Sequence, residues 1–191
     1  MKVHKLRTRH KASIAGFTLL EILVVLIIIG VLFAIAAPSW TALMNRQRIN
    51  TIREQAVQVI REGQNQARTT RTRRFVIFDG DGVTTAARAA IVPLGNTPPD
   101  VTTINNWRTL GDGEVKVGTM EFSLGGSKRI LFDDKGAVDR EWVGNSNATD
   151  GLLVVKVKPK GASVETQRCA IVDTLLGAVR LADGTQKYCD S

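Results

Sequence analysis

The sequence predicts an α+β protein in which a long N-terminal helix, first transmembrane and then amphipathic, packs on antiparallel β-structure. Three observations support this prediction. An apolar run fills residues 22–37, apolar residues then recur at helical spacing, and short β-branched runs separated by glycine turns follow from residue 75. The 191 residues divide into a leader (1–16), a membrane-spanning helix (17–37), an amphipathic helix (38–73) and one globular β domain (74–191).

The N-terminal segment is basic and then apolar. Residues 1–16 contain five Lys or Arg and no acid, which keeps this end in the cytoplasm and predicts export of the rest. Residues 17–37, as a helix, span about the 30 Å of a bilayer core. An ordinary signal peptide would be cut after the apolar run, near Ala36 and Ala37, and a plain signal anchor is the other alternative.

Glu21 is the unusual residue of this segment. An ionised carboxylate inside a membrane helix costs about 2.5–3.5 kcal/mol on insertion scales, so an acid kept there has a specific partner. The stretch from Gly16 to Glu21 reads GFTLLE and follows directly on the basic leader. A basic leader followed by this GFTLLE stretch resembles the class III signal of type IV prepilins and type II secretion pseudopilins.

The resemblance implies how the N terminus is processed. A prepilin peptidase would cut after Gly16 and methylate the new terminus at Phe17. Glu21 would pair with the terminal ammonium of a neighbouring subunit during assembly. The implied partners are the peptidase, other major and minor pseudopilins, and the bacterial inner membrane. The chain would cross that membrane once, with its C-terminal domain in the periplasm.

Pro38 ends the apolar run and is expected to kink the helix, because it lacks an amide donor and clashes with the preceding turn. A proline at this distance from the cleavage point is common in the resembled family. Trp40 follows within one turn. Its indole would lie either at the headgroup level or against the globular domain, and the sequence leaves both open.

The second half of the helix is predicted to bury one apolar face, and Gly63 on it to mark a close approach of a strand. The members of that face are Ile49, Ile52, Ala56, Val59, Ile60 and Ala67. Between Arg46 and Arg74 there are eight arginines and two acids, although residues 75–191 are close to neutral. The cluster of Arg68, Arg71, Arg73 and Arg74 would contact nucleic acid or acidic lipid, or else form a solvated face that meets acidic neighbours.

The remaining sequence predicts short strands and polar loops. Strands are expected at 75–78, 89–92, 114–117, 120–124, 129–132, 152–157, 169–172 and 178–181. Loops are expected at 95–100 and 145–150. Asp79 and Asp81 alternate with glycines as in part of a calcium loop, but the residues that follow lack the further oxygen donors, which favours a hairpin turn.

Three further segments resemble the H-type (GspH/FimT-like) minor pseudopilins and pilins. They are QAR at 66–68 before RFVI at 74–77, RILF at 129–132 before DDKG, and CAIV at 169–172 with GAVR at 177–180. The family fold is a pilin-like helix on a small antiparallel β-sandwich-like domain. DNA-binding members have Gly-Arg-x-Arg in the last segment, and here only Gly177 and Arg180 match. Glu21 separates the chain from the K-type pseudopilins, which typically lack this acid.

The cysteines and histidines limit the chemistry. Cys169 and Cys189 are the only cysteines, and their exported location predicts a disulfide rather than two free thiols. His4 and His10 both lie in the leader, so the processed chain has no histidine for nucleophile activation or metal binding. The sequence therefore predicts no enzyme, no catalytic residue, no metal and no cofactor.

From these observations we interpret the chain as a minor pseudopilin of a type II secretion system. It would be assembled into the periplasmic pseudopilus that drives protein export. The alternative is a minor pilin of a type IV pilus that acts in pilus assembly or DNA uptake. In that case nucleic acid becomes a partner, and the phosphate contacts would be Arg68, Arg71, Arg73, Arg74 and Arg180. A membrane-anchored domain with an unrelated ligand is the third possibility.

Overall fold

The structure is a computed structural model that describes residues 16–95, 97–111, 113, 115–139 and 152–189, with the backbone alone at 36–39. The leader up to residue 15 and the predicted loop at 145–150 lie outside the described residues. Helix α1 is formed by Leu19–Thr70. The chain divides into two compact units, Met1–Ala42 and Leu43–Ser191, which are described separately.

The first unit contains the apolar part of α1. An 18-residue stretch has a mean hydropathy of 3.1 and no buried residue, so this part of the described chain is long and apolar enough to cross a membrane. The backbone is helical at Pro38, and the kink expected there stays a prediction.

The second unit contains the rest of α1 and two four-stranded sheets in which every strand pair is antiparallel. Sheet A has the order β3-β2-β1-β5 and sheet B the order β4-β6-β7-β8. A short 3₁₀ helix, Val164–Thr166, lies between β6 and β7. The strands are β1 Arg74–Asp79, β2 Arg88–Pro93, β3 Arg108–Thr109, β4 Met120–Gly126, β5 Arg129–Phe132, β6 Leu153–Pro159, β7 Arg168–Val172 and β8 Val179–Asp183.

The apolar face of α1 is the centre of the main core. All six residues predicted for this face are at most 3% exposed, so the prediction is confirmed. They join one cluster with the inner faces of both sheets, where Phe78 of β1 and Phe122 of β4 have ring centroids 6.4 Å apart. The predicted helix on antiparallel β-structure is therefore confirmed as well.

The outer faces of both sheets are covered too, and for sheet A the sequence did not indicate this. Ile104 and Trp107 pack over Phe75 and Ile77 of β1, so this strand is buried on both sides. On sheet B, Tyr188 and Cys189 of the C-terminal segment pack against β7.

One predicted strand is wrong and one was missed. In the predicted strand 114–117, residues 115–117 form bends and turns, and Val115 instead packs partly against the core. The missed strand β3 has only two residues, too few to show an alternating pattern. The side chain of Arg108 in this strand forms an ion pair of 2.8 Å with Glu62, which lies on another element, α1.

The C-terminal end of α1 is closed by backbone geometry. Arg71 has a left-handed φ of 50°, and the N–H of Thr72 donates to the carbonyl of Ala67 at 3.2 Å. This is the Schellman arrangement, in which glycine is the common residue at the left-handed position. The turn is completed within three residues, so that β1 begins at Arg74.

Gly63 allows α1 to approach β1 closely. A Cβ built on Gly63 would overlap with Cγ2 of Val76. The close approach that the sequence suggested at Gly63 is therefore present.

We expect Gly63→Ala to lower the free energy of unfolding of the globular unit by about 1–3 kcal/mol, the typical cost of overpacking a core. At an exposed helix position the same change would stabilise by about 1 kcal/mol. Chemical denaturation measures the effect. Asn65→Ala, on the exposed face of the same helix, is the control. Adding Val76→Ala should remove part of the Gly63→Ala penalty, and a stabilising Gly63→Ala would show that the close approach is absent.

Candidate functional site

The N-terminal residues of α1 are arranged by a helix cap. Thr18 precedes the helix, and its Oγ1 accepts a hydrogen bond of 3.2 Å from the N–H of Glu21. Threonine at the N-cap with glutamate three residues later is the capping-box pattern. Sequence reasoning noted both residues but missed this role, which the Thr-x-x-Glu spacing could have indicated.

Glu21 is placed in the first turn of an apolar and exposed helix. The N-terminal end of a helix favours a negative charge, because unpaired N–H groups point outward there. No ion pair to Glu21 is present among the described residues. The apolar side chains around it are exposed as well, with Phe17 at 78% and Ile22 at 49%. This segment therefore presents one carboxylate within an apolar surface, and no other residue of the first unit that the structure describes covers this surface.

Of the predicted nucleic-acid contacts, four lie at the junction of α1 and β1. Arg68 donates from Nε to the carbonyl of Lys135 at 2.9 Å, and Arg73 lies 3.5 Å from a carboxylate oxygen of Asp139. Arg74 donates weakly to the hydroxyl of Thr70 at 3.4 Å. Arg71 occupies the left-handed position that ends the helix. The guanidinium groups of Arg68 and Arg73 are therefore already in contact with residues that follow β5.

The fifth predicted contact, Arg180, lies on β8 of sheet B rather than at the α1–β1 junction. Its Nε is 3.3 Å from a carboxylate oxygen of Asp173, and its guanidinium lies 6.0 Å from the centre of the Tyr188 ring. Four of the five arginines therefore lie at one junction and the fifth on another sheet, and their proposed role in binding nucleic acid stays a prediction.

Cys169 and Cys189 form the predicted disulfide, and both are fully buried. The side-chain amide of the buried Gln167 donates to the carbonyl of Cys189. The bridge closes a segment of 20 residues, which is worth about 3 kcal/mol in the chain-entropy model. It holds the C-terminal segment on the outer face of sheet B.

Asp79 ends β1, and Asp81 lies in the turn that follows, as expected. Asp79 is paired with Arg88. Asp81 accepts from the N–H groups of Val83, Thr84 and Thr85 at 2.8–2.9 Å and from the Thr84 hydroxyl at 2.6 Å. These hydrogen bonds, the Thr84 hydroxyl first, hold the pKa of Asp81 well below its usual range. Within the described ranges, no three His, Cys, Asp or Glu residues are placed to hold a metal.

Comparisons with known proteins found similarities to the N-terminal segment and to the fold. Residues 11–37 match the family described as the prokaryotic N-terminal methylation motif. The structure is similar to the crystal structure of the type IV minor pilin FimU of Pseudomonas aeruginosa, with a TM-score of 0.51 and 10% sequence identity. The match covers 74% of this chain and 92% of the FimU chain. No curated protein sequence matches significantly.

The chain thus combines an N-terminal methylation motif with the fold of a type IV pilin. The methylation motif and the pilin fold indicate a structural, non-enzymatic protein. For a pilin-like protein, this N terminus implies processing by a peptidase and assembly with other pilins. Its apolar N-terminal helix indicates a membrane-anchored pilin.

We expect Asp81→Asn to destabilise the globular unit at neutral pH, because the charged carboxylate accepts four short hydrogen bonds. A carboxyl group with a lowered folded pKa stabilises above its unfolded pKa of about 4, and this contribution disappears as the pH falls through the folded pKa. The difference in unfolding free energy between wild type and Asp81→Asn should therefore shrink below about pH 4.

Urea denaturation at several pH values measures this difference. Asp134→Asn in the exposed turn after β5 is the control and should change little. A wild type and Asp81→Asn that unfold identically at pH 7 would contradict the role of the carboxylate.

Proposed function

We propose that the chain is a minor pseudopilin of a type II secretion system, of the H-type branch. A prepilin peptidase removes residues 1–16 and methylates Phe17, and the processed chain enters a short filament on the periplasmic side of the inner membrane. The methylation motif and the pilin fold support a subunit of this kind. The residues quoted for the H-type resemblance, together with Glu21, favour this branch.

Glu21 is the observation on which the proposal depends. Its carboxylate stands on the first turn of a helix whose apolar side chains are exposed within their unit. In a filament these side chains pack against neighbouring helices, and removal from water makes an unpaired charge costly. Cleavage after Gly16 creates an ammonium at Phe17, four residues before Glu21. The ammonium of one subunit and the carboxylate of the next then compensate each other.

The charge distribution favours this function over nucleic-acid binding. Arg73 and Arg180 are already near Asp139 and Asp173 of the same chain. After removal of the leader the net charge is +3, and residues 75–191 contribute about −2. A near-neutral domain attracts a polyanion weakly over distance. A type IV pilus subunit remains the alternative within the pilin-like proteins.

We expect Glu21→Ala to lower incorporation of the processed chain into filaments by at least about tenfold, because removing one partner of a desolvated ion pair costs about 3–5 kcal/mol. Quantitative crosslinking to other pilin-like subunits in the producing cells measures incorporation. Glu165→Ala, an exposed glutamate of the globular unit, should leave it unchanged.

Processing and membrane insertion should be normal in both variants, since neither change touches Gly16 or Phe17. Unchanged crosslinking of Glu21→Ala would contradict the assembly role of Glu21. Deletion of the gene should stop export of folded proteins through the outer membrane. A loss of pili or DNA uptake with intact export would instead show that the chain serves a type IV pilus.

A further inference from the structure

An open groove runs between α1 and strand β8 in the globular unit. Its volume is about 720 Å³, and its apolar floor is formed by Val57, Val179 and Leu181. Leu181 and Val179 pair with Ala170 and Val172, which lie in the main core, so they continue the inner face of sheet B. Leu181 is nevertheless 48% exposed. The inner face of the sheet thus extends beyond the part that α1 covers.

The groove has defined ends and a defined length. At one end Arg53 of α1 lies 3.7 Å from Asp183 of β8. Near the other end Gln64 donates to the carbonyl of Leu176 at 2.8 Å. The helix rises about 17 Å between Arg53 and Gln64, which corresponds to about five residues of extended chain. Strand β8 also has five residues.

Strand β8 is the last strand of sheet B on this side, in the part of the chain that the structure describes. An edge strand offers unpaired N–H and C=O groups to a further strand. Side chains of an added strand would alternate, and every second one would point into the groove beside Leu181. Both the backbone edge and the apolar floor therefore suit an extended segment.

The charges of the groove indicate what this segment contains. Asp183 is shared by Arg53 and by Arg168, which lies 3.3 Å away, so two guanidinium groups face one carboxylate. The Nε of Arg53 is buried and has no hydrogen-bond acceptor among the described residues. Arg61 on the groove wall is exposed and makes no ion pair within the described chain. Glu62 also lines the groove, but it is neutralised by an ion pair of 2.8 Å with Arg108. The remaining charges are those of Arg53, Arg61 and Arg168 against Glu54 and Asp183, which leaves a surplus of one positive charge.

We propose that an extended segment of another pilin-like subunit adds to the edge of β8 and fills this groove. The segment places alternate apolar side chains on Val57, Val179 and Leu181, and an acidic side chain next to Arg61 or Arg53. This inference rests on the proposed function, because it assigns the surface through which the globular unit meets a neighbour.

The test replaces Leu181 with photoreactive benzoylphenylalanine in the full chain, in the cells that produce it. Val117, which is 50% exposed and lies outside the groove, is the matched control position. Crosslinking from position 181 should join the chain to a different pilin-like subunit. The crosslinked peptide, sequenced by mass spectrometry, should be an extended segment that contains Asp or Glu. Position 117 should not give this product.

Charge variants test the recognition. Arg61→Glu should lower the crosslinking yield from position 181 severalfold, and Arg61→Lys should retain it. Arg46→Glu, at an arginine of α1 that is also exposed but lies outside the groove, should have no effect. Equal products from positions 117 and 181, a product with a second copy of this chain, with lipid or with nucleic acid, or an unaffected Arg61→Glu would overturn the proposal.

Failure of the groove assignment is distinguishable from failure of the proposed function. If the processed chain still copurifies with other pilin-like subunits but position 181 gives no such product, only the groove assignment is wrong. If the chain enters no filament, both are wrong.

Discussion

The globular unit depends on the packing of one apolar helix face against two sheets. The buried face of α1, from Ile49 to Ala67, meets the inner faces of both sheets in a single cluster. Neither four-stranded sheet buries its inner face without the helix. Gly63 allows a close approach to β1, and the turn at Arg71 leaves only three residues between the end of the helix and that strand. The helix thus joins the two sheets in one core.

The same helix has two different surfaces along its length. Over the first unit its apolar side chains are exposed on all sides and Glu21 is the one charged group of the apolar stretch. From Ile49 onward its buried apolar side chains lie on one face, and the exposed face is polar and includes Arg61 and Arg68. The first pattern requires cover from a membrane or from other helices, and the second requires cover from the chain's own sheets. A single helix can therefore serve both filament packing and domain folding.

Features with a strong local signal were predictable from the sequence. Helical spacing gave the buried face of α1, β-branched runs gave most strands, and two cysteines in an exported domain gave the disulfide. Residues 115–117 of the wrong strand have the composition of a strand but pair with no strand in the described part of the chain, and the missed strand β3 has only two residues. Ile104 and Trp107 cover β1 through a tertiary contact. No periodic pattern of apolar residues in the sequence indicates this contact. The groove beside β8 depends likewise on how far the sheet extends past the helix.

The central claim is that this chain is made as a precursor and acts in a filament through the N terminus created at Phe17. Intact-mass analysis of the membrane-extracted protein tests it most directly. We expect the protein to have lost residues 1–16 and gained one methyl group, with the terminal peptide beginning at N-methylated Phe17. A mature terminus near Ala37, or an unprocessed chain that still functions, would contradict it.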